Sequence, residues 1–158
     1  MNSLNLSSNA IYWLDFVADT YTPLLLLVAV LEIYRSWKKN NRAHLLYFIY
    51  AVTIVYALMF ADARWSLWAS WGLDYSTHSA AAFCLVVIMC LYKGARTWVI
   101  ALSTLIAYGL LMHILNYHSW MDMFTSVFAC TVGLLPLSRA RGRRLNGIGL
   151  GREKTCAS

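Results

Sequence analysis

The chain has 158 residues, 60% of them apolar and 13% charged, with only two prolines. Soluble chains run nearer ~45–50% apolar and ~25% charged, so this composition excludes a disordered protein and an ordinary soluble domain. The net charge of +6 does not point to a nucleic-acid partner, because the basic residues sit in short gaps between apolar runs, where membrane topology places them.

Residues 1–9 carry no Lys or Arg, and no small-residue cleavage site follows, so the first apolar run is expected to stay in the mature protein. That run covers residues 11–34 and contains Asp15, Asp19 and Pro23. Two arrangements fit it: one long span kinked at Pro23, or an interfacial helix to Tyr21 followed by a span that Thr22 caps and Pro23 begins. Further runs cover about 45–63, 73–92, 97–115 and 120–137. Each approaches the ~20 residues that cross a hydrocarbon core ~30 Å thick. The expected fold is therefore an all-α, polytopic membrane helix bundle of about five transmembrane helices over residues 1–137.

Arg35, Lys38, Lys39 and Arg42 follow the first run, Lys93 and Arg96 the third, and Arg139, Arg141, Arg143 and Arg144 the fifth. By the positive-inside rule these segments are cytoplasmic, which puts the N-terminus out and the C-terminus in. Residues 138–158 then form a basic cytoplasmic tail beside the lipid headgroups of a plasma or bacterial inner membrane. Cys84, Cys90 and Cys130 fall in apolar runs and Cys156 in the tail, without metal-ligand spacing, and read as small buried hydrophobes. Trp65, Trp68 and Trp71 read as an aromatic belt.

This topology gathers Asp62, Arg64, Asp74, His78, His113, His118 and Asp122 at the outer boundary. Ionisable groups beside hydrocarbon are costly, so their concentration marks a candidate site. His118 and Asp122 stand four apart at the start of the fifth run, a spacing that puts both on one helical face and lets the carboxylate orient the imidazole. The plainer alternative is a satisfied histidine at a helix start. Ser76-Thr77-His78 opens the third run, where free helix N–H groups suit a phosphate, although Ser76 or Thr77 can equally serve as the N-cap. Arg64 is the lone outer cation, able to clamp a phosphate or to pair with Asp62 or Asp74.

In order, spacing and sidedness these residues resemble the type 2 phosphatidic acid phosphatase superfamily of membrane lipid phosphatases and phosphotransferases. Tyr75-Ser76-Thr77-His78 is similar to that family's Pro-Ser-Gly-His motif, and His118-x3-Asp122 to the His-x3-Asp of its third motif. The family's third-motif Arg would fall at Met112, and its first-motif Lys and Pro at Ala57 and Trp65 around Arg64.

The resemblance implies His118 as nucleophile, Asp122 as its orienting partner and His78 as general acid. It further implies that Ser76 and Thr77 hold the phosphoryl oxygens with Arg64, that no metal or other cofactor is needed, and that a lipid phosphate or lipid pyrophosphate is the substrate. A neutral His118 working with a protonated His78 implies a bell-shaped pH–rate profile. Two other readings stand beside this one. One is a non-catalytic lipid- or partner-binding membrane protein; the other is a b-haem or metal-binding bundle with His78, His113 and His118 as ligands.

Overall fold

The computed structural model describes residues 7–39, 42–91 and 93–136; among these are five α-helices, one 3₁₀ turn and no strand. The tail expected over 138–158, with Cys156, lies outside the described residues.

Helix α1 runs unbroken from Ser8 to Lys38, so Pro23 lies inside one long helix and the version with a separate interfacial helix is not adopted. The Ser7 hydroxyl caps its start by accepting from Ala10 N–H at 3.3 Å, while Arg35 and Lys38 in its last turn complement the macrodipole. Helix α2, Ala43–Trp65, ends where Ser66 takes a left-handed φ of 51°, which reverses the chain into a short 3₁₀ turn at Ala69–Trp71. Helices α3, Thr77–Cys90, α4, Ala95–Ile114, and α5, Trp120–Pro136, complete the bundle.

Helices α1, α2 and α4 are each long and apolar enough to cross a membrane. At 1.5 Å per residue α3 spans about 21 Å and α5 about 25 Å, so these two are shorter than the ~30 Å core. Large hydrophobic side chains such as Leu24, Leu27, Phe60, Val99, Ile106 and Phe128 are exposed on the outer faces of four helices, the inverse of a soluble protein.

Helix α3 is the centre of the fold. It touches α1, α2 and α4 and buries Ala80, Ala82, Cys84, Leu85, Val86, Ile88 and Cys90. Its small residues let neighbouring backbones approach closely, the usual device where lipid offers no hydrophobic drive for helix association. Gly133 does the same between α5 and α2: a Cβ there would stand 2.9 Å from Ile54 Cγ2. Cys84, Cys90 and Cys130 are buried free thiols, as a small-hydrophobe role requires.

The helices alternate in direction, which separates the ionisable residues into two ends. Tyr117 OH donates to Asp15 Oδ1 at 3.2 Å, joining the α4–α5 turn to the first half of α1. At the opposite end Lys93 Nζ lies 3.1 Å from Glu32 Oε2, joining the α3–α4 turn to the last turns of α1.

Candidate functional site

The two histidine-bearing segments meet at one end of the bundle, and backbone groups rather than helical spacing bring them there. Residues 73–76, the first part of the third apolar run, are an irregular segment leading into α3. Asp74 N–H donates to Asp122 Oδ1 at 2.9 Å and Ser76 N–H to Ser126 Oγ at 2.9 Å. The Ser126 hydroxyl in turn donates to the Asp122 carbonyl at 2.7 Å. These bonds fasten the entry of α3 to the first turns of α5.

Asp122 is 8% exposed and both its oxygens are occupied, because Oδ2 accepts Ser119 N–H at 2.8 Å. The Ser119 hydroxyl accepts Asp122 N–H at 3.2 Å, so Ser119 and Asp122 form a reciprocal capping box at the start of α5. This corrects the expected shared helical face of His118 and Asp122. Helix α5 begins at Trp120, which leaves His118 in the preceding turn.

The carboxylate nearest to His118 is Asp74, with Oδ2 3.7 Å from His118 Nδ1. That separation is too long for a hydrogen bond, and Nδ1 is a buried atom without a hydrogen-bond partner. The His118 side chain is 14% exposed and that of Asp74 is 75% exposed, so the pair runs from the interior to the surface.

Ser76 is fully buried. Its hydroxyl accepts Ser79 N–H at 3.4 Å and donates to Ser79 Oγ at 2.8 Å. It is therefore the N-cap of α3, the alternative role given for it above, and both hydrogen bonds of Ser76 Oγ are made inside the fold. Thr77 is half-buried at the first position of α3, its N–H donating to the Tyr75 carbonyl at 3.0 Å, and His78 is exposed.

Arg64 is exposed in the last turn of α2 and forms no ion pair with a described residue. Neither expected partner engages it. Asp62 Oδ1 accepts Trp68 N–H at 2.7 Å, and Asp74 faces His118. His113 is packed against Trp120, ring centroids 5.0 Å apart. Among the described residues no three His, Cys, Asp or Glu side chains converge on a point that could hold a metal ion, so His78, His113 and His118 do not gather into one three-ligand cluster.

The tryptophans divide. Trp65 and Trp71 are 67% and 76% exposed, as a belt requires, but Trp68 is buried. Its Nε1 donates to Thr125 Oγ1 at 2.9 Å, and its ring meets Tyr75 edge-on at 4.8 Å. Trp68, Ser119 and Ser126 are the residues that sequence reasoning missed here. Ser119-x-x-Asp122 carried a readable signal, since Ser followed three residues later by an acidic residue ahead of an apolar run is a capping-box pattern. The chain matches no protein-family model, and no curated protein or solved structure matches it at a significant level.

Proposed function

We propose that the protein cleaves or transfers the phosphoryl group of a membrane lipid phosphate or pyrophosphate at the end where α3 and α5 begin. One observation supports this above the others: the segments carrying His78 and His118 are stitched together by Asp74–Asp122 and Ser76–Ser126 hydrogen bonds. In this reading a nitrogen of neutral His118 attacks phosphorus while the bond to the lipid oxygen breaks, and His78 gives that oxygen its proton. Water or a second alcohol then attacks phosphorus, giving its proton to the now neutral His78, and the P–N bond breaks to return neutral His118. The carboxylate beside Nδ1 is that of Asp74, so Asp74 orients the ring, with Asp122 one step behind, holding the backbone of Asp74 and Ser119. Arg64, free of carboxylate partners, offsets the phosphoryl charge, and Thr77 stands at the rim. By the positive-inside rule this end faces outward from a cell membrane and the basic end faces the cytoplasm.

The test is phosphate release from a panel of lipid phosphates and pyrophosphates by the purified protein in detergent. His118→Ala should lower turnover by at least ~10³-fold, as removal of a nucleophile does, and His78→Ala by roughly 10²-fold or more. Turnover like wild type in His118→Ala overturns the assignment.

A second reading is a protein that binds a lipid headgroup without turning it over. What favours it is that Ser76 and Asp122 are occupied by the fold, while Ala57 and Met112 stand where the related motifs carry cations. That reading expects saturable lipid-phosphate binding lost in Arg64→Ala, with no phosphate released by wild type.

A further inference from the structure

Helices α2 and α5 are in close contact at one level and separated at another. Near the basic half Gly133 lies against Ile54, and Tyr50 OH donates to the Gly133 carbonyl at 3.0 Å. Toward the histidine end a cavity of about 520 Å³ opens between the same two helices. Leu58 of α2 and Phe128, Ala129 and Val132 of α5 form its walls, and Trp68 and Trp71 of the intervening turn close one end. Phe128 is 70% and Val132 50% exposed, so the groove opens sideways on the outer surface. Trp68 is fixed by the Asp62 and Thr125 bonds and shared with the histidine end through its contact with Tyr75, which makes the roof a built feature.

We propose that this groove holds one hydrocarbon chain, acyl or prenyl, of a membrane lipid. Helix α2 is long and apolar enough to cross a bilayer, and the groove lies below its Trp-rich end, at the depth of the lipid tails. Its walls are mostly apolar, and the hydroxyls of Ser70 and Thr125 that line it donate to the carbonyls of Leu67 and Met121, so a chain breaks no hydrogen bond on entering. The groove opens sideways between two helices of an apolar bundle, where lipid tails are the surrounding solvent, so a tail is the occupant that reaches it without a second protein. The roof limits how far a chain can rise and places the attached headgroup at the level of Trp71 and the end of α2. The groove thus offers a fixed position to a lipid tail beside the end that carries His118.

Photolabelling tests this. The full chain is placed in phosphatidylcholine nanodiscs containing a phosphatidylcholine with a diazirine midway along one acyl chain, irradiated, and its adducts mapped by mass spectrometry. Adducts are expected to concentrate on Leu58 and residues 125–132. Ala129→Leu should reduce that share about tenfold, the loss expected when room for some two methylenes is filled. Labelling spread evenly over outward side chains such as Leu24, Leu27 and Val99, or chain-to-chain adducts through Phe128, would overturn the proposal. The wild-type map decides it alone if Ala129→Leu does not fold. Because the probe carries no phosphomonoester, the outcome is independent of the phosphoryl chemistry.

Discussion

The two ends of the bundle use carboxylates in different ways. At the histidine end Asp62 and Asp122 accept backbone N–H groups, from Trp68 in one case and from Asp74 and Ser119 in the other. At the basic end Glu32 accepts Arg35 Nη1 and lies within ion-pair distance of Lys93 Nζ, both at 3.1 Å, with the two cations 69% and 42% exposed. A backbone N–H held by a buried carboxylate fixes main-chain geometry and has no substitute when the carboxylate is removed. An exposed pair between long side chains can be replaced by water and ions. The difference teaches that Asp62 and Asp122 shape the backbone of the histidine end, whereas Glu32 only pairs with exposed cations.

The largest break of this contrast is Asp122→Ala. It strands the N–H groups of Asp74 and Ser119, so a loss of about 2–4 kcal/mol is expected in thermal unfolding in detergent. Phosphate release, where it occurs, should fall with it, because the turn carrying His118 and the entry to α3 lose their common anchor. Ser76→Ala removes a helix cap and should cost about 1 kcal/mol by the same measurement. Glu32→Gln at the other end should cost under ~1 kcal/mol and leave turnover unchanged. Raising salt from ~0.1 M to ~1 M, which shortens the screening length from ~10 Å to ~3 Å, should erase the Glu32→Gln difference and leave the Asp122→Ala difference intact. Equal salt sensitivity in the two variants would remove the distinction between the ends.

The five helices were legible because each is an apolar run bounded by charge or turn residues, and period and length suffice for that. The start of α3 was legible too, from the capping residues at Ser76 and Thr77. What local pattern did not carry is that residues 73–76 are tied to side chains some fifty positions away on α5. His118 and Asp122 misled for a local reason. Their four-residue spacing looks helical, whereas Ser119 between them is the residue that begins the helix. That both histidine motifs lie at one end followed from counting crossings, and the hydrogen bonds agree. Trp68 looked like its neighbours in the belt, and Asp62 at the end of α2 with Thr125 on the distant α5 turn it inward.

The smallest effect sharpens the comparison within the histidine end. Tyr117 donates to Asp15 from the α4–α5 turn, and this bond raises the phenol above its ordinary value. A folded-state value above the unfolded one means that stabilisation is complete below the unfolded Tyr value of ~10 and is lost as pH rises through the folded value. Tyr117→Phe should therefore lower the melting temperature slightly at pH 8, by less than Glu32→Gln does, and the deficit should vanish by pH 11 to 12. The contact is at the surface, where water replaces the lost partner. A deficit as large as that of Asp122→Ala, or one unchanged across this pH range, would mean that the α4–α5 turn is held through Tyr117 rather than through the capping box below it.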